Sequence, residues 1–180
     1  QPELELRLQV VKSIKDAAEK QVKGLIEIYG SQLRGLAQNK DTVKPLAMAT
    51  VQTLIALDDK AAADILLTHN KTGKTDWVLL TDATLARWKV SAADDLWISR
   101  ATNPAINWSV RQSALEQLAI TAPDKAQSQL RQLMSEKSLD PLLKLASAKA
   151  LGNIAQRGLV GDAQRLAKGD LTSRLMAVAC

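Results

Sequence analysis

Gly73-Lys74-Thr75 looks like the end of a phosphate-binding loop. The complete motif also needs a glycine five residues before Gly73, so that backbone amides can cradle phosphates, and Thr68 stands there. A strand should precede such a loop, but Ile65-Leu66-Leu67 lies in helical context. The segment from His69 to Asp76 therefore reads as a somewhat long, basic loop. The chain has 1 histidine, His69, and 1 cysteine, Cys180. Together they supply no internal disulfide, no cysteine metal cluster and no site needing several imidazoles. His69 reads as a loop or helix-end residue. No nucleophile–base pairing or metal-ligand spacing is visible, so no catalytic residue, metal ligand or cofactor is assigned.

The four tryptophans fall in one window: Trp77, Trp88, Trp97 and Trp108. Trp77 and Trp88 are eleven residues apart, hence on one helical face, and packing is expected for both. Trp97 has an ambiguous register: one offset pairs it with Ala63 and Leu130, and a shift of one pairs it with Arg131. Trp108 stands at a helix start beside Asn107. Trp97 and Trp108 are expected to be at least partly exposed, where a tryptophan serves as a binding hot spot or stacks on a base.

These residues need elements to hold them. The chain has 180 residues, 46% of them hydrophobic and only 3% aromatic, with no Phe. It runs on Ala and Leu with Lys, Gln and Arg, a composition that favours helices over strands. Net charge is +5, compatible with an ordinary charged surface or with an acidic partner, and no block of like charges forms a basic arm. No stretch reaches the roughly 18 apolar residues of a membrane span. The chain begins at Gln1 rather than Met, so it reads as a processed chain or an excised piece, and the compartment stays open.

Internal repeats organise the chain. The clearest copy starts at Asp140-Pro141 and runs through Leu143-Lys144-Leu145-Ala146-Ser147-Ala148-Lys149-Ala150-Leu151-Gly152-Asn153-Ile154. Aligned copies give a first column of Val43, Trp77, Val110, Leu143 and Ser173, spaced by about 30 to 34 residues. Four residues on stands a small residue: Ala47, Thr81, Ala114, Ser147 and Ala177. Eight on stands an aliphatic one: Val51, Leu85, Leu118 and Leu151. These offsets place all three columns on one helical face. Second helices are expected over Asp59 to Leu67, Ser91 to Arg100, Asp124 to Met134 and Val160 to Lys168, with Ser91 and Asp94 as a capping box and Gly158 and Gly169 as stops. In the N-terminal stretch, Leu4, Leu8, Val11, Ala18, Val22 and Leu25 keep helical spacing, a break is expected at Gly30-Ser31, and a short helix follows to Gln38.

The helix–turn–helix unit of about 33 residues resembles the HEAT-repeat family over Lys40 to Cys180, and the run Leu143 to Ile154 is close to that family's first-helix pattern. The resemblance implies an all-α fold: a right-handed α-α superhelix of about four helix pairs with an N-terminal helical cap. The cap would span 1–39, and the repeats approximately 40–72, 73–105, 106–138 and 139–170, with a partial copy at 171–180. That last half-repeat suggests a chain cut from a longer protein, or an abbreviated cap. HEAT families carry acid–base ladders between repeats. Asp140 with Lys144, Asp170 with Arg174 and Asn107 with Arg111 follow that offset; Lys44 fits the basic column and Val78 breaks it. The HEAT-like iron hydroxylases use paired His-Glu motifs, which this sequence lacks.

The expected function is a non-catalytic scaffold that presents a curved helical surface to another protein. If the second helices line that surface, as the resemblance implies, its contact residues are Trp97, Trp108, Arg100, Arg131, Arg165 and Lys168. The alternative is nucleic-acid binding, similar to the HEAT-like DNA glycosylases, whose clefts hold tryptophans and a catalytic Asp. Asp82, Asp94 and Asp95 lie near the Trp window, but no catalytic spacing matches.

Overall fold

A computed structural model describes residues 2–103, 105–136, 140–154 and 159–179. Among them the chain is helical and contains no strand. It divides into two compact units, Gln1–Trp88 and Lys89–Cys180.

The first unit holds α1 (Pro2–Glu19), α2 (Leu25–Gln38), α3 (Lys44–Ala56), α4 (Ala63–Lys71) and α5 (Thr75–Arg87). Here α1 and α2 both pack on α3, and α4 packs on α5. The expected break at Gly30-Ser31 is not there. The chain turns at residues 20–24 instead, where Gln21 and Gly24 take left-handed backbone (φ 59° and 80°). Gly30 lies buried within α2, and a Cβ on it would stand 3.1 Å from the Arg34 guanidinium, which is bonded to Asp59 at 2.5 Å. Its missing side chain makes room for that ion pair rather than ending the helix.

The second unit holds α6 (Asp94–Thr102), α7 (Trp108–Thr121), α8 (Pro123–Ser135), α9 (Pro141–Ile154), α10 (Val160–Leu166) and α11 (Leu171–Ala179). Here α6 packs on α7, α8 on α9, α10 on α11, and α7 and α11 on α9. Pro123 and Pro141 occupy first-turn positions, where a missing N–H costs nothing and the fixed φ suits the helix. Gly158 and Cys180 lie outside the described residues.

The repeated columns form the buried stripes. Ala47, Thr81, Ala114 and Ser147 are buried, as are Val51, Leu85, Leu118 and Leu151. Each aliphatic side chain so enclosed contributes about 1.5–3 kcal/mol. Thr81 and Ser147 fit the small column because their hydroxyls donate to carbonyls one turn back, Trp77 and Leu143, both at 2.8 Å. The first column holds at Trp77, Val110 and Leu143 but not at Val43, which is exposed because it caps α3 from outside the helix, and in the last copy Ser173 and Ala177 are only half-buried.

One turn is used twice. After α3, Asp58 adopts left-handed backbone (φ 53°) and a 3₁₀ turn, Lys60–Ala62, leads into α4. After α5, Lys89 does the same (φ 56°) and the 3₁₀ turn Ser91–Ala93 leads into α6. Each feature recurs 31 residues later. The expected capping box at Ser91 and Asp94 is absent: α6 starts only at Asp94, and no side chain caps it.

Candidate binding surface

The structure separates the expected contact residues. Trp97 is fully enclosed, at 0% exposure, against the expectation of a surface residue. The 31-residue repeat of the turn gives the reason. It aligns Trp97 with Leu66, itself fully buried, and not with Ala63. Arg100, one turn further along α6, is also buried, so it offers no guanidinium to a partner. Trp108 stands at the first position of α7 and is 37% exposed, as its place at a helix start implies. Trp77 is buried as expected. Trp88 is only half-buried, because it closes α5 and its indole Nε1 donates to Asp58 Oδ1 at 2.6 Å.

Arg131 and Arg165 converge on one carboxylate. Arg131 Nε lies 3.0 Å from Asp162 Oδ2, and Arg165 Nη2 lies 3.2 Å from Asp162 Oδ1. Arg131 thus ties α8 to α10 through Nε while its side chain stays part-exposed. Lys168 is exposed just beyond α10. The six expected residues therefore do not all lie at the surface: Trp97 and Arg100 are interior, part-exposed Arg131 and exposed Arg165 share the Asp162 carboxylate, and Trp108 and Lys168 also reach solvent.

The acid column of the ladder caps helices. Asn107, Asp140 and Asp170 accept hydrogen bonds from the backbone N–H of Ser109, Leu142 and Ser173 at 2.9, 2.7 and 2.8 Å. The Asp170 carboxyl lies below its ordinary range chiefly through the bonds from Ser173, with smaller help from Lys144 and Arg174. Lys44 does bridge helices, pairing with Asp76 on α5, and the hydrogen bond from Lys44 is the main cause of Asp76's lowered pKa. Arg111 donates from Nε to the Ala101 carbonyl at 3.3 Å, while its buried Nη2 has no hydrogen-bond partner. Two of the three carboxylates near the tryptophan window are structural, and Asp95 is exposed. Asp82 is buried and bonded by Asn70 at 2.7 Å, and Asp94 is buried and bonded by Thr121 at 3.2 Å. Among the described residues no cluster of three or more His, Cys, Asp or Glu could hold a metal ion.

Two concave features of the first unit were not anticipated. One is an apolar groove of about 460 Å³ between α1 and α2, lined by Leu6, Val10, Ile14, Tyr29, Leu33 and Leu36 among others. Leu6 is 62% and Val10 50% exposed, although both are aliphatic. The sequence carried a signal for it: Leu6, Val10 and Ile14 form a row one turn apart, beside the row that holds Leu4, Leu8 and Val11. The other is a cavity of about 460 Å³ between the end of α2, the start of α3, α4 and the start of α5. Lys40, Lys44 and Lys74 line it, with Asp64, His69 and Trp77. The His69 ring stacks on Trp77 (centroids 4.1 Å apart, 16° between planes), and its Nε2 lies 2.9 Å from the Ala37 carbonyl, so that nitrogen carries the proton. Gly73, left-handed at φ 70°, turns the chain so that Lys74 reaches the cavity rim ahead of α5.

Compared with protein-family models, with curated proteins and with solved structures, the chain matches none.

Proposed function

We propose that this chain is a non-catalytic protein–protein interaction scaffold, built as a HEAT-like right-handed solenoid, and that it holds an amphipathic helix of a partner protein in the groove between α1 and α2. The observation that carries this reading is the pair of aliphatic rows along that groove, Leu6, Val10 and Ile14 facing Tyr29, Leu33 and Leu36. Rows one turn apart match the ridges of an incoming helix with apolar residues at i, i+4 and i+7. The repeat reading is supported by the columns buried in α3, α5, α7 and α9 and by the turn used after α3 and again after α5. A nucleic-acid reading loses one of its two expected stacking residues, because Trp97 has no face open to a base and only Trp108 is exposed.

The test is site-specific photo-crosslinking from position 6, in the groove, and from position 12, an exposed lysine on α1. The expected result is a partner crosslinked from position 6 alone, with the crosslinked peptide mapping to an amphipathic helix. Val10→Glu/Tyr29→Glu should weaken capture by about 30-fold or more, the loss of a binding hot spot. Equal crosslinking from both positions, or full capture by the double variant, would refute the proposal.

A further inference from the structure

We propose that the cavity at the start of α5 binds a small phosphorylated molecule through Lys40, Lys44 and Lys74. Its volume of about 460 Å³ is that of a small-ligand site, which typically spans about 300–1,000 Å³. The three lysines line it from different parts of the chain: Lys40 from the connection after α2, Lys44 from the first residue of α3, and Lys74 from the loop before α5. Asp64 is the one carboxylate among the lining residues. Lys44 is shared with Asp76, whereas Lys40 and Lys74 have no ion-pair partner among the described residues. A phosphomonoester carries about −1.5 to −2 charge at neutral pH and matches this excess better than a single carboxylate does. The hydroxyl protons of Thr42, Thr68 and Thr72 are already donated to backbone carbonyls, which leaves the lysines as the cationic donors beside the neutral amides of Gln38 and Asn39.

The rest of the wall selects for an organic ester. Ala37, Ala47 and Ile65 give it an apolar side, and the stacked, tethered His69 ring makes that side rigid. An ester can place its phosphate among the lysines and its carbon skeleton against that wall; inorganic phosphate gains only the first contact. Three lysines at one concave site suit a small molecule. This inference does not depend on the α1/α2 groove.

The experiment is an NMR titration of the full chain at low salt with ribose 5-phosphate and, separately, with inorganic phosphate. Saturable shifts of the His69 ring and Trp77 indole resonances are expected with ribose 5-phosphate, and binding about tenfold weaker with inorganic phosphate. Lys40→Gln/Lys74→Gln should weaken ester binding by about tenfold or more, while Lys12→Gln/Lys20→Gln, which removes the same charge elsewhere, should leave it unchanged. All four lysines are exposed, so both variants should keep the parent's backbone spectrum. The proposal is overturned by no saturable shift up to about 20 mM ester, by equal binding of ester and inorganic phosphate, or by equal loss in the two double variants.

Discussion

Replacing Trp97 by alanine tests the register of the second helices. Trp97 has no exposed surface and heads the largest fully buried side chains of the chain. Truncation removes about 140 Å³, and at about 24 cal/mol per Å³ an unrelaxed cavity of that size alone costs about 3 kcal/mol. Trp→Ala changes in cores generally cost about 3–5 kcal/mol. Over a chain of this length that lowers the melting temperature by about 6–20 °C. Leu66→Ala, at the equivalent position after the earlier turn, should cost about 2–5 kcal/mol for the same reason. Thermal melts followed by circular dichroism at 222 nm, with urea titrations as a second measure, read both. A Trp97→Ala protein melting within about 2 °C of the parent would mean that Trp97 is not a core residue. The alignment of Trp97 with Leu66 would then fall with it.

Two further perturbations probe the first helices. Ala114→Leu adds three carbons at a fully buried position of α7, and overpacking there should cost on the order of 1–3 kcal/mol in the same melts. The Lys44–Asp76 pair should show in the pH dependence of stability. Asp76 is held below the ordinary carboxylate range, so its contribution is fully present above the unfolded value and is lost as pH falls through the folded one. Asp76→Asn should therefore be slightly less stable than the parent at pH 7, with the gap closing below about pH 4; a gap that stays constant down to pH 2 would contradict the pairing.

The fold was legible where packing depends on spacing within one helix. The columns through Ala47, Thr81, Ala114 and Ser147 sit four residues from their neighbours on the same face, and helical geometry alone carries that offset into a buried stripe. Connections were less legible. Gly30 looked like a helix breaker because glycine is costly inside a helix, yet it is retained where Arg34 and Asp59 close over it. The true break rests on Gln21 and Gly24, and nothing in Lys20-Gln21-Val22 announces a left-handed residue. Asp58 and Lys89 likewise reach left-handed backbone without being glycine, so the turn that sets the second helices left little trace in composition.

The surface was misread for a related reason. A first helix carries its own register in three columns, but a second helix inherits its rotation from the turn before it. The distance between first columns, 34 residues from Val43 to Trp77, was carried over to the second helices, whereas the turn repeats after 31. Three residues of slip on a helix is a rotation of about 300°, nearly a full turn. That error still exchanges a residue at the centre of the buried stripe for one at its edge. The 34-residue spacing matches Trp97 with half-buried Ala63, whereas the 31-residue spacing of the turn matches it with Leu66. Trp108 escaped the error because its exposure follows from standing first in α7, ahead of any column, and its register needs no turn to set it. The α1/α2 groove escaped notice for the opposite reason. The expected stripe runs through Leu4, Leu8 and Val11, and Leu6 and Val10 lie outside it; a helix that packs on α3 along one row leaves the next free to face a partner.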